Sequence, residues 1–367
     1  MRILLLSAYD AASHRQWREG LVNRLPQHEW TVATLPARHF PWRMRGGPLG
    51  FLTEYGDLLS ADYDRVLATS MTDLCTLRGL QPNLARIPAA VYFHENQFAY
   101  PSRDARGRVQ WGMHHIYNLL SADTLLFNTE FNLESLIAGA EKLLRSMPDF
   151  KPKPGVLDAK IRARGQVIPV PLEESFFDAR TSTQQGPLSI LWNHRWEYDK
   201  APERFFDALF QLSDEGIPFR LHVLGQRFRS APEVFEKART ELKGHIDSWG
   251  WCEKAEYHRI LHSADLVVST TLQEFQGLSV MEAIASGCAA LVPDRLSYPS
   301  FVPSSQRYRS TPDDPGQESA ALADALRRFA QNPSVLRNSE RIDLQAYRWS
   351  RLAQEYEEII DRMAIRG

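Results

Sequence analysis

At 367 residues the chain is too long for one ordinary domain and suits two of roughly 170–190 residues each. Hydrophobic content of 43% and charged content of 24% are ordinary for a soluble globular protein. A net charge of −2 excludes a globally basic nucleic-acid binder, though not a local basic face. Cys75, Cys252 and Cys288 are widely spaced and in no metal-ligand pattern, which points to a reducing compartment without a disulfide framework. The apolar run Ile3 to Leu6 is too short for a signal peptide, and no stretch reaches the ~20 apolar residues of a membrane span. A cytoplasmic protein with no membrane partner is expected.

Arg2 to Ser7 reads as a strand, followed by a polar loop through Ser13 and His14 and a helix from about Arg15 to Leu25. The loop lacks the glycine fingerprint of a dinucleotide site, which disfavours a nicotinamide cofactor. Trp30 to Leu35 is a second strand. After it, Arg38, Arg43 and Arg45 interleave with His39, Phe40 and Trp42. That pattern suits phosphates with unstacked bases, or else a proline-fixed surface loop whose arginines lie along the surface. Asp62-Tyr63-Asp64 has the D-x-D form of metal-dependent sugar-nucleotide enzymes, but it precedes the strand Arg65 to Ser70 instead of ending one, so it reads as a turn. Ala89 to Phe93 is a buried strand running into His94-Glu95-Asn96-Gln97, where this fold class places chemistry. A second basic loop holds Arg103, Arg106 and Arg108, then comes a helix around Gly112 to Leu120 and the strand Thr124 to Asn128, with Thr129 as a helix N-cap. Lys142, Arg145, Lys151 and Lys153 read as a solvated face.

Val167 to Val170 closes the first series, and Pro171 to Pro187 is the best linker candidate. Leu188 to Trp192 opens a second series, leading to Arg195 and Lys200, five apart at the start of a helix. Two cations there suit a pyrophosphate, or else a salt-bridge cluster with the intervening Glu197 and Asp199. Strands at Arg220 to Leu224 and Ala264 to Thr270 follow, with His245 to Trp249 preceding Gly250-Trp251-Cys252 and Tyr257 to Ala264 helical. Glu274 and Glu282 then bracket seven residues on a strand–loop–helix corner, with Gly277 opening the helix. Two carboxylates so placed suit two hydroxyl-rich rings, a sugar and a ribose. The apolar spacing of Leu352, Tyr356, Ile359, Ile360 and Met363 marks one face of a final helix. The alternation predicts an α/β fold of two Rossmann-like domains facing across a cleft: residues 1–172, residues 186–345, and a C-terminal helix in 346–367 that packs back on the first domain.

The Glu274 to Glu282 corner, with Arg195 and Lys200, resembles the signature of retaining glycosyltransferases of family four, which have the GT-B architecture. Tyr92 to Gln97, Phe127 to Asn132, His194 to Lys200, Glu274 to Gly277 and the Leu35 to Arg43 block together resemble the tRNA-queuosine α-mannosyltransferases. At Ala11-Ala12 the chain departs from that pattern, which has two glycines before Ser-His.

The resemblance implies transfer of α-mannose from GDP-mannose to queuosine at the anticodon wobble position of tRNA-Asp, without a metal or other cofactor. It implies that Arg195 and Lys200 stabilise the departing GDP and that Glu274 holds sugar hydroxyls. Phe275, Gln276, Gly277 and Leu278 would complete the donor pocket, Glu282 would take the ribose, and Gly250 and Trp251 would border the guanine. His94 would contact mannose or the acceptor hydroxyl. Ser13, His14, Glu95, Asn96, Gln97, Arg38, Arg43 and Arg45 would meet the tRNA, with Arg103, Arg106 and Arg108 beside them. Two rival readings are a family-four enzyme with a lipid or polysaccharide acceptor, using an amphipathic Ala138 to Lys153, and a non-catalytic tRNA-binding protein of the same fold.

Overall fold

The structure is a computed structural model. It describes residues 1–100, 105–149, 151–178, 186–227, 231–332, 335–336 and 339–364. Arg103 lies outside the described residues, as do the side chains of Arg106 and Arg108. The chain divides into two compact units, Met1–Pro171 with Trp349–Gly367, and Leu172–Arg348.

In the first unit β1 (Arg2–Ser7), β2 (Glu29–Thr34), β3 (Arg65–Thr69), β4 (Ala89–Phe93), β5 (Thr124–Phe127) and β6 (Gly165–Val167) form one parallel sheet in the order β2-β1-β3-β4-β5-β6. Ile3 to Leu6 and Ala89 to Phe93 are apolar without alternation because a parallel sheet is covered on both faces, and each of these residues is buried. The crossovers are α1 (Ala12–Arg24), α2 (Phe40–Leu59), α3 (Leu74–Leu80), α4 (Ala105–Ser121), α5 (Glu130–Arg145) and α6 (Val156–Arg162). Thr129 caps α5 by accepting from the Asn132 amide at 3.1 Å. The Asp62-Tyr63-Asp64 stretch is a turn into β3, where the Asp64 carboxylate accepts from the Arg2 amide at 2.7 Å.

The arginine-rich stretch after β2 corrects an expectation. It is the start of α2, not a loop. Pro41 falls in the first turn, where its missing N–H costs nothing. His39 enters the helix with φ 55°, and the phenyl ring of Phe40 packs edge-on against Tyr9 and Trp111 at centroid distances of 5.8 and 5.5 Å.

In the second unit β7 (Leu188–Asn193), β8 (Phe219–Leu224), β9 (Ile246–Gly250), β10 (Leu266–Val268), β11 (Ala289–Pro293) and β12 (Arg307–Tyr308) form a parallel sheet in the order β12-β11-β10-β7-β8-β9. Its helices are α7 (Pro202–Asp214), α8 (Val234–Glu241), α9 (Lys254–Ser263), α10 (Leu278–Ala285) and α11 (Pro315–Gln331). Part of the expected linker is built into this unit: Phe176 is buried and stacks on His258 at 4.5 Å. The last helix, α12 (Trp349–Arg362), lies within the expected 346–367 and belongs to the first unit. There the Trp17 indole N–H donates to the Tyr356 hydroxyl at 3.0 Å, which donates to the Pro169 carbonyl at 3.0 Å.

Strand order reverses between β1 and β3 in one sheet and between β7 and β10 in the other. Loops at the carboxyl ends of strands diverge at such points and leave a crevice.

Candidate functional site

At the β7/β10 reversal the chain leaves β7 through His194 and Arg195 and makes a single tight turn over Tyr198–Lys200. Ala201 then takes φ 45° before Pro202 starts α7. A non-glycine residue in this region is strained, and it is held here because the turn is tied to the loop after β10. The Leu272 amide donates to the Asp199 carbonyl at 2.7 Å, and the Thr270 hydroxyl to the Lys200 carbonyl at 2.8 Å.

These ties bring Lys200 against Glu274. The Lys200 Nζ lies 3.5 Å from Glu274 Oε2, 3.2 Å from Asp199 Oδ2, and donates to the Gln273 carbonyl at 2.9 Å. Burial by itself would push the ammonium down; Glu274 and Asp199 outweigh it and raise it, so Lys200 carries its charge. Glu274 is part-exposed, with its Oε1 accepting from the Phe275 amide at 3.1 Å while its Oε2 faces Lys200. Arg195 is exposed, pairs with Glu197 at 3.1 Å, and its charge is felt at Lys200. Each cation is thus matched by its neighbouring acid, and Lys200 alone of the two reaches Glu274 among the described ion pairs.

Gly277 caps α10 with φ 84°, where a Cβ would stand 3.1 Å from the Tyr298 ring. Phe275 and Gln276 are buried beside it, and the Gln276 amide approaches the Met281 sulfur at 3.8 Å. Leu278 is half-buried. Glu282, within α10, is buried and accepts from the Tyr257 hydroxyl at 2.7 Å, which itself accepts from Asn193 Nδ2 at 3.1 Å. Burial, then the Glu282 charge, raise the Tyr257 phenol well above its ordinary value, so it stays a donor.

Asn193 and Tyr257 also line a cavity of about 330 Å³, together with Leu224, Gly225, Trp251, Cys252 and Lys254. It has an apolar floor, a backbone edge and one exposed indole, the makings of a slot for a flat heterocycle. Gly225 is obligatory there: at φ 140° a Cβ would fall 1.9 Å from the His194 carbonyl oxygen. Gly250 supports it, its carbonyl accepting from the Gly225 amide at 3.1 Å. Sequence reasoning missed Asn193, Tyr257 and Lys254, because their roles depend on contacts between elements far apart in the chain.

In the first unit His94 directly follows β4 and stacks on His14, centroids 4.1 Å apart, with the Trp17 ring edge-on at 4.9 Å. Burial, opposed by Asp10, brings His14 down to about 4, and burial with His14 alongside holds His94 well below the usual imidazole range. Both rings are therefore neutral at pH 7. Asn96 is taken up inside the fold: its Nδ2 donates to Asn132 Oδ1 at 2.8 Å and Ser135 Oγ at 3.0 Å, and its Oδ1 accepts from the Phe98 and Ala99 amides. Gln97 is buried and its amide donates to His115 Nε2 at 3.1 Å. Glu95 is half-buried and Ser13 exposed. The three arginines around α2 do not act alike. Arg38 and Arg45 are exposed, whereas the Arg43 Nε donates back to the Pro36 carbonyl at 3.1 Å. Trp42 is 77% exposed beside them. Among the described residues no group of three His, Cys, Asp or Glu is placed to hold a metal ion, and no helix is long and apolar enough to cross a membrane.

Residues 2–172 match the family model described as tRNA-queuosine alpha-mannosyltransferase N-terminal, and residues 174–349 match glycosyl transferases group 1. The chain is 33% identical over 347 residues to the tRNA-queuosine alpha-mannosyltransferase of Drosophila melanogaster, covering 91% of this chain and 88% of that one. Among solved structures, sucrose-phosphate synthase from Thermosynechococcus elongatus superposes with a TM-score of 0.69 at 14% identity, over 99% of both chains. The catalytic domain of starch synthase IV from Arabidopsis thaliana, bound to ADP and acarbose, gives 0.69 at 12% identity, also over 99% of both. Identities this low speak to the fold alone, and that fold is GT-B.

Proposed function

The chain belongs to the tRNA-queuosine alpha-mannosyltransferase family, and on that premise we propose that it moves α-mannose, with retention, from GDP-mannose to the cyclopentene diol of queuosine at the wobble position of tRNA-Asp. The observation that carries the reading is the charged Lys200 held against Glu274 at the β7/β10 reversal. Lys200 and the nearby Arg195 stabilise the negative charge that develops on the departing diphosphate, a role that needs preorganised cations and no metal. Glu274, held by the Phe275 amide at one oxygen and by Lys200 at the other, accepts from the sugar hydroxyls with its remaining lone pairs, and the backbone around Phe275 and Gly277 completes the pocket. Glu282, aligned by Tyr257, accepts from the ribose hydroxyls, and the cavity beside Trp251 takes the guanine.

Retention proceeds on one face of the sugar. The glycosidic carbon–oxygen bond to the diphosphate breaks, the acceptor oxygen bonds to the same carbon, and the leaving phosphate takes the acceptor's proton. His94 and His14, both neutral, serve as hydrogen-bonding groups for acceptor hydroxyls and not as cations. Arg38 and Arg45 meet phosphates of the anticodon arm, and Trp42 offers a face for an unstacked base.

The test is incubation with GDP-mannose and queuosine-containing tRNA, followed by nucleoside mass spectrometry. A hexose mass added to queuosine, and absent when the tRNA lacks the modification, is the expected result. No transfer to any tRNA from any nucleotide sugar would overturn the reading.

A further inference from the structure

We infer that Arg295 is a positioning residue for the Lys200–Glu274 pair, fixing the loop on which both depend. The inference rests on the reading of that pair as the donor site. β10 ends at Val268, so the carbonyls of Thr270 and Thr271 lie beyond the sheet ladder and need donors of their own. Arg295, two residues past the end of β11, supplies them. Its side chain is 12% exposed. Its Nε and one terminal nitrogen donate to the Thr271 carbonyl at 3.1 and 2.8 Å, and that same nitrogen also reaches the Thr270 carbonyl at 3.2 Å. The planar guanidinium is the side chain that can hold two neighbouring carbonyls in a fixed geometry.

The gripped residues are those that hold the lysine. The Thr270 hydroxyl donates to the Lys200 carbonyl at 2.8 Å and the Thr271 hydroxyl contacts the Asp199 carbonyl at 3.2 Å. Lys200 Nζ approaches the Thr271 hydroxyl at 3.4 Å, and Glu274 follows three residues on. The far side of Arg295 is anchored by the Ser310 hydroxyl at 2.8 Å and by Glu318, a fully buried carboxylate on α11.

Glu318 is shared with Arg204, which completes an internal control. Arg204 belongs to the same buried ion cluster but its other guanidinium contact is the Pro312 carbonyl, not the loop after β10. A purely structural cluster would make the two arginines equivalent. A positioning role makes them different.

The experiment compares Arg295→Met, Arg204→Met and Arg295→Lys; in both methionine variants Glu318 keeps one arginine partner. Each is measured for thermal midpoint, for kcat and donor KM in mannose transfer, and for binding of GDP, UDP and ADP by calorimetry. Displacing a reacting group by about 1 Å costs on the order of 100-fold. Arg295→Met is therefore expected to lose about 30- to 100-fold in kcat with donor KM changed less than about threefold, while Arg204→Met keeps kcat within about threefold despite a lowered midpoint. Arg295→Lys, which keeps charge but not the fork, recovers part of the loss. Equal kcat losses in the two methionine variants would overturn the inference. If the wild-type protein binds a nucleoside diphosphate but transfers no mannose, the functional reading fails; Arg295 is then tested by calorimetry, where Arg295→Met must weaken that nucleotide more than Arg204→Met does.

Discussion

Replacing Lys200 by alanine tests the site most directly. The ammonium is 10% exposed, Asp199 8% and Glu274 21%, so the substitution leaves two carboxylates facing each other with little water. Removing one partner from a buried ion pair costs roughly 3–5 kcal/mol, and the part-exposed edge of Glu274 puts this case near about 3 kcal/mol. In a unit of this size that corresponds to a fall of about 6–12 °C in thermal midpoint. Loss of one group that stabilises transition-state charge costs about 100- to 1,000-fold in kcat. The two effects separate in the double variant Lys200→Ala/Asp199→Asn, which relieves the carboxylate repulsion: its midpoint recovers while its turnover does not. Affinity for tRNA, measured by filter binding, stays at the wild-type level. Turnover within about threefold of wild type, alongside the expected fall in midpoint, would refute the assignment of Lys200 to the leaving group.

Five other substitutions address the remaining parts. Tyr257→Phe removes a hydrogen bond to a buried carboxylate, worth about 1.5 kcal/mol, and is expected to raise donor KM about tenfold with kcat nearly unchanged; steady-state kinetics with varied donor decide it. Trp42→Ala is expected to weaken tRNA binding by about 1–3 kcal/mol without altering its salt dependence, since stacking is not ionic. Arg45→Ala lowers the slope of log K against log salt by about one, and Arg43→Ala, whose side chain is turned to Pro36, lowers it less. The buried histidines make stability acid-sensitive. His14 sits at about 4 and His194 at about 3, both below the ~6.5 of free imidazole. Their contribution is fully present above pH ~6.5 and is lost as pH falls from there through the folded values. The thermal midpoint therefore drops between pH 7 and pH 5, and His14→Gln drops less; a flat profile would show that neither histidine is held neutral.

Strands were the most legible elements, since runs such as Ile3 to Leu6 and Ala89 to Phe93 are apolar and buried on both faces. The Glu274 to Glu282 corner and Lys200 could be singled out because a charge pattern beside a strand end survives in one dimension. The start of α2 could not. Pro41, Gly46, Gly47 and Pro48 all punctuate a sequence like a loop, and the helix forms there because Phe40, Met44 and Phe51 find partners elsewhere in the first unit. Tyr257 and Arg295 left no trace for a similar reason. Each reaches its partner across more than twenty residues, and only the folded sheet order brings those residues together. The α11 helix and the strands β11 and β12 were not singled out either, for lack of a motif to draw attention to them.

The first unit is made of two pieces of chain, separated by the whole of the second. Trp349 and Tyr356 are buried in it, and Gly20 is bare because a Cβ there would stand 2.0 Å from the Trp349 ring. During synthesis on the ribosome the second unit is complete once Arg348 has emerged, whereas the first must wait with Trp17 uncovered until the last helix is made. The amino-terminal unit is thus the later of the two to finish folding, and a chain cut short after Arg348 would retain a whole carboxyl-terminal sheet beside an unfinished host.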